Sequence, residues 1–137
     1  MPTAKFPARF ESLEKISQFV VQAAREAGFD ESAVYAIELA VDEACSNIIE
    51  HAYGGEGRGD IHCSYQIANN SLTIILRDKG RPFDPNRILE PNFGAPIEEL
   101  QPRGAGLFLM RKLMDEVKFE FEVDSGNVLT MVKHRGK

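Results

Sequence analysis

The sequence predicts an α+β fold, a two-layer sandwich with helices on one face of a mixed, mainly antiparallel sheet. Three observations lead there. Two stretches with apolar residues at three- and four-residue spacing open the chain. Two pairs of β-rich runs follow, each pair joined by a short polar turn, and one irregular stretch, residues 80–103, separates the pairs. Helices covering one face of the sheet is the simplest packing for the order helices, two strands, loop, helix, two strands. A length of 137 residues suits a single domain, residues 1–137, with one substantial core.

Residues 5–10 form either a short edge strand or a linker, because Pro7 lacks the N–H that a central ladder requires. In residues 12–27, Leu13, Ile16, Phe19, Val20, Ala23 and Ala27 recur with helical period, and Gly28 ends the run. Asp30 is an N-cap ahead of Glu31, and a second helix continues to about Tyr53, where Gly54 and Gly55 stop it. Its core stripe is Val34, Ile37, Val41, Ala44 and Ile48. Residues 60–68 and 71–77 read as strands joined at Asn69-Asn70, a pair able to supply positive φ for a tight hairpin. Residues 107–114 form a short helix, and residues 117–123 and 128–134 a second hairpin around Asp124-Ser125-Gly126-Asn127.

A net charge of −5 and a pI near 5.2 argue against a general nucleic-acid binder, which needs a basic face for phosphates. No apolar run is long enough to span a bilayer, and the N-terminus lacks the apolar stretch and cleavage site of a signal peptide, so the expected compartment is the cytoplasm. Cys45 and Cys63 form no C-x-x-C pair and the three histidines have no ligand spacing, so neither structural zinc nor a disulfide framework is expected.

Three segments carry the chemistry. On the second helix Glu43 and Asn47 stand four apart and share one side, at the rim of the apolar stripe. There a carboxylate can act as general base while an amide oxygen coordinates Mg²⁺. His51 continues that side and reads as structural. Asp78 ends an apolar strand, where it can accept a hydrogen bond from an exocyclic amine of adenine, and Gly80 allows close backbone approach. Gly104, Ala105, Gly106 and Leu107 lead into an apolar helix whose free N–H groups and positive end can hold a phosphate, with Arg103 adding charge. Each motif alone has a bland reading as an exposed pair, a strand-to-turn junction or a plain turn.

Their combination is specific. E-x-x-x-N on a helix, D-x-G after a strand and G-x-G-L opening a helix, in that order, resemble the GHKL (histidine-kinase-like) ATPase superfamily. The resemblance is nearest to the anti-sigma-factor serine kinases, through Glu38-Leu39-Ala40-Val41 leading to Glu43-Ala44, through His51-Ala52-Tyr53, and through Gly106-Leu107-Phe108-Leu109-Met110. It implies an ATP- and Mg²⁺-dependent serine/threonine kinase with Glu43 as general base, Asn47 as magnesium ligand and Asp78 as adenine contact. Gly80, Gly104 and Gly106 become close-approach glycines, and residues 84–103 a lid. It also implies a small antagonist (anti-anti-sigma) protein as phosphoryl acceptor, a sigma factor as second partner, and a homodimer. The alternative is a nucleotide-gated interaction module that binds ATP without transfer. The chain departs from the family where many relatives continue D-x-G-x-G, having Pro82, and where many have Gly-Thr-Thr, having Gly126-Asn127-Val128; both departures imply weaker ATP binding.

Overall fold

The computed structural model describes residues 1–82 and 102–136, with the backbone alone for 102–107. Strand β1 (Thr3–Pro7) lies at one edge of the sheet and ends on Pro7, as a strand with no ladder on its outer side permits. A single 3₁₀ turn, Phe10–Ser12, leads into helix α1 (Leu13–Glu26), and Gly28, with φ of 88°, reverses the chain behind it. Helix α2 (Glu31–Asn47) begins where Asp30 accepts the Ala33 N–H at 2.8 Å, a cap worth about 1 kcal/mol. Its regular winding stops sooner than the spacing predicts: residues Ile48–Ala52 form a π-helical turn before Gly54 and Gly55 take φ of 74° and 146°.

Strands β2 (Asp60–Ala68) and β3 (Ser71–Asp78) form the first hairpin, paired from Ala68–Ser71 to His62–Arg77. Neither Asn69 nor Asn70 takes the positive φ expected of them. The C-terminal segment instead secures the turn from outside, with the Arg135 N–H donating to the Asn70 carbonyl at 2.6 Å. Helix α3 (Pro102–Leu113) precedes the second hairpin, β4 (Glu116–Glu122) and β5 (Gly126–His134).

The sheet order is β1-β2-β3-β5-β4 and all four pairings are antiparallel, so the expected parallel component is absent among the described residues. The reason is the place of β5. The β3–α3–β4 crossover sends β4 in the same direction as β3, but β5 returns between them and pairs antiparallel with both.

One face of the sheet contributes Ile61, Cys63, Leu72, Ile74, Leu76 and Met131 to a core completed by Ile16, Val20 and Ala23 of α1 and the whole predicted stripe of α2. Each buried Val, Leu or Ile contributes about 1.5–3 kcal/mol. Met110 and Met114 bring the α3 end to the same core, and α3 packs against α2. The Ser17 hydroxyl donates to the Glu38 carboxylate, tying α1 to α2. Phe6, Phe19 and Tyr65 close the β1 side edge-to-face, with centroids 6.2 and 5.2 Å apart. Both cysteines are reduced and buried, and burial pushes the Cys63 thiol up to about 12.

Candidate functional site

Alternation along β3 places Asp78 on the same face as Leu72, Ile74 and Leu76, so the last side chain of an apolar row is a carboxylate with 4% exposure. Burial raises its pKa, and hydrogen bonds from Asn127 and from the Gly80 N–H oppose the shift without cancelling it. Both bonds fall on Oδ1, at 2.8 Å from Asn127 Nδ2 and 2.9 Å from Gly80 N. None of the described residues bonds Oδ2.

Asn47 ends the regular part of α2, and the wide turn after it, closed by the Tyr53 N–H on the Ile48 carbonyl at 2.9 Å, brings residues 51–53 beside the segment leaving β3. Such turns recur at functional sites. Asn47 and Asp78 line one cavity, together with Asn127, Glu120 and an apolar wall of Ala44, Ile48, Ala52, Met110, Phe119, Val128 and Leu129. Apolar walls with a few placed polar groups are the usual lining of a small-molecule site. The Asn47 amide nitrogen is buried with no hydrogen-bond partner among the described residues, an unmet requirement that a bound group would satisfy. Since the two ends of an amide are assigned from their partners, the amide can equally present its oxygen.

Glu43 lies one turn before Asn47 and both are half-buried, as the rim position predicts, but Glu43 is not among the residues lining the cavity. It stands beside Asp42, whose pKa is raised by burial and by the nearby Glu38 and Glu43 carboxylates. Gly80 is a close-approach glycine toward the protein itself. A Cβ there would lie 2.5 Å from the carbonyl carbon and oxygen of Ala52. The next residue bonds the same turn, with Arg81 N donating to the Ala52 carbonyl at 2.8 Å and Arg81 Nη2 to the His51 carbonyl at 2.8 Å. His51 contributes its carbonyl to this join. Tyr53 completes the join: its hydroxyl accepts the Lys79 N–H at 2.8 Å and donates to the Asp60 carbonyl at 2.7 Å.

Helix α3 starts five residues earlier than expected, so Arg103, Gly104, Ala105 and Gly106 belong to its first turns rather than to a loop before it. Pro102 supplies the fixed φ and missing N–H favoured at a first helical position, and packing on α2 offsets the cost of two glycines, about 1 kcal/mol each. The N–H groups of Gly106 and Leu107 therefore enter the helical ladder, and those of the first turn alone stay unpaired within it. The side chains of Arg103, Ala105 and Leu107 lie outside the described residues, as does the expected lid apart from Pro102 and Arg103.

Sequence reasoning missed Arg81 and Tyr53 as members of this site, and it marked Asn127 only as part of a departure from the family's Gly-Thr-Thr, not as the partner of Asp78. The available signal for Asn127 was the register: with the second hairpin centred on residues 123–125, the first residues of β5 oppose the end of β3, and Asn127 faces Asp78 directly. Among the described residues no group of three or more His, Cys, Asp or Glu side chains is placed to hold a metal ion, and no helix is long and apolar enough to cross a membrane.

This architecture has known counterparts. The chain superimposes on the RsbU and RsbW domains of Rv1364c from Mycobacterium tuberculosis with a TM-score of 0.63 and 15% identity, covering 98% of this chain and 32% of that longer one. It superimposes on the catalytic domain of the histidine kinase ThkA with a TM-score of 0.58 and 15% identity, covering 98% and 99% of the two chains. In sequence it is 37% identical to the serine-protein kinase RsbW of Halalkalibacterium halodurans over 131 residues, 93% of this chain and 78% of that protein. It is 31% identical to the serine-protein kinase RsbW of Bacillus thuringiensis over 134 residues, 95% and 82% of the two. Residues 6–133 match the profile of the histidine kinase-like ATPase domain, and this chain belongs to that family.

Proposed function

We infer that this protein is an ATP-dependent serine/threonine protein kinase and anti-sigma factor. It transfers the γ-phosphoryl group of ATP to a serine or threonine of a small antagonist protein and regulates transcription through a sigma factor. The observation that carries the reading is the convergence of the buried Asp78 carboxylate and the unpartnered Asn47 amide on one apolar-walled cavity, one helical turn from Glu43. Kinase chemistry is favoured over a module that binds nucleotide without transfer, because the relatives it is similar to over most of their length are named as serine-protein kinases.

The base enters the cavity, and Asp78 accepts the hydrogen bond of an exocyclic amine. Such a charge-assisted bond is worth about 1.5–3 kcal/mol, which favours adenine over a base with a carbonyl there. Asn47 would hold Mg²⁺ through its amide oxygen, and that ion, when bound, offsets phosphate charge. Glu43 takes the proton of the acceptor hydroxyl as its oxygen bonds to the γ-phosphorus and the bond to the β-phosphate oxygen breaks, releasing ADP. Positioning and electrostatics do most of this work. The first turn of α3, with Arg103 and Gly104, faces the phosphates in this reading. The protein acts in the cytoplasm as a homodimer and alternates between the antagonist protein and the sigma factor.

Calorimetric titration with ATP and GTP, with and without Mg²⁺, tests the site. Selective, magnesium-dependent ATP binding that Asn47→Ala weakens is the expected result, and no binding under any condition overturns the kinase reading. Glu43→Ala is expected to abolish phosphoryl transfer while ATP binding persists, and loss of both together counts against Glu43 as the base.

A further inference from the structure

Asn127 is 6% exposed and lies directly across the β3–β5 ladder from Asp78. Its amide nitrogen donates to Asp78 Oδ1 at 2.8 Å and to the Arg81 carbonyl at 2.7 Å, with the Gly80 carbonyl at 3.4 Å. A side-chain amide has two N–H donors, and the two short contacts use both. The carboxylate is thereby held by one oxygen, which the Gly80 N–H also occupies. The second acceptor matters as much. Arg81 is the residue whose N–H and guanidinium grip the Ala52 and His51 carbonyls, in the π turn that follows Asn47. One buried amide therefore joins the carboxylate, the backbone at 80–81 and the end of the helix that carries Asn47.

We propose that Asn127 is the positioning residue for base recognition in this chain: by occupying Oδ1 of Asp78 and anchoring Arg81, it presents Oδ2 to the exocyclic amine of adenine and sets the preference for ATP over a nucleotide with a carbonyl at that position. The proposal rests on the reading of Asp78 as the adenine contact. A hydroxyl side chain at 127 carries a single proton and cannot hold the carboxylate and the Arg81 carbonyl together. The amide thus joins two elements where a hydroxyl would hold one.

The test is calorimetric titration of the full chain with ATP and with inosine triphosphate, which carries a carbonyl in place of the amine. It is run on the native protein and on Asn127→Ala, Asn127→Thr and Asp78→Asn, with the thermal midpoint of each recorded. Asn127→Ala is expected to weaken ATP binding about tenfold, the scale of one bond to a charged group, with inosine triphosphate affinity little changed, so that the ATP preference collapses. Asn127→Thr, which keeps one of the two bonds, falls between. Equal weakening of both nucleotides by the Asn127 variants, or no change in either, overturns the proposal, since a purely structural role moves both together. Should Asn127→Ala fail to fold, the ratio measured for Asn127→Thr decides alone. If Asp78→Asn loses the preference while the Asn127 variants keep it, this proposal fails and the adenine contact stands. If Asp78→Asn keeps the preference, the adenine contact itself fails, and this proposal with it.

Discussion

Three glycines allow the two physical reasons for glycine at this site to be measured separately. Gly54 has φ of 74°, but an added Cβ would meet only the flexible end of Arg58, at 3.3 Å. Gly80 has no positive φ, yet its Cβ would lie 2.5 Å from the Ala52 carbonyl and 2.7 Å from the Ala52 Cβ. Gly126 combines both conditions: φ is 83°, and a Cβ would overlap the Asp78 carbonyl oxygen and lie 3.2 Å from Lys79 Cα. Gly54→Ala therefore carries the left-handed backbone cost alone, about 1–2 kcal/mol. Gly80→Ala carries overpacking against backbone alone, about 1–3 kcal/mol. Gly126→Ala carries both and is expected to cost about 2–5 kcal/mol, a large part of the roughly 5–15 kcal/mol that stabilises a typical domain. Gly136→Ala, where a Cβ meets nothing within 4 Å, is the control and is expected to change stability by less than about 0.5 kcal/mol. Urea unfolding by linear extrapolation, with unchanged slopes, gives all four values. A Gly126→Ala variant no less stable than Gly54→Ala would refute the reasoning, as would a neutral Gly80→Ala.

Two further predictions concern the same corner. The folded pKa of Asp78 is raised by burial, so its contribution to stability is fully present below the unfolded carboxylate range and is lost as pH rises through the raised value. Asp78→Asn, which keeps an acceptor oxygen in the same shape, is expected to unfold at equal or higher urea than the native protein at neutral pH, with the advantage shrinking in acid. Marked destabilisation at neutral pH would contradict this. Tyr53→Phe removes the hydroxyl that bridges Lys79 N and the Asp60 carbonyl, and is expected to cost about 0.5–1.5 kcal/mol for each bond, read as a lower urea midpoint.

Much of the fold is legible because it is local. The stripe Val34, Ile37, Val41, Ala44, Ile48 is buried as its period requires, Asp30 caps the helix it precedes, and the first hairpin turns at residues 69–70. Where reasoning fell short, a distant partner decided. The φ of Asn69 and Asn70 is set in a turn braced by Arg135, the start of α3 in contact with α2, and the order of β4 and β5 by which strand fits beside β3. The site divides in the same way. Glu43 and Asn47 share a side because they are four apart on one helix, whereas the Asp78–Asn127 bond joins residues 49 apart.

By itself, then, the sequence determined the element types, the core stripes, the family, and two of the polar residues, Asn47 and Asp78, that line one cavity. Periodicity, capping and turn chemistry act over a few residues, and the spacing of three motifs along a chain can be read without its shape. The tertiary structure alone decided that Gly80 serves Ala52, that Arg81 and Tyr53 bind the π turn to the end of β3, and that Asn127 stands opposite Asp78. Strand register and backbone close approach arise only when the core brings distant segments together, because no short-range preference encodes which carbonyl a given N–H will meet.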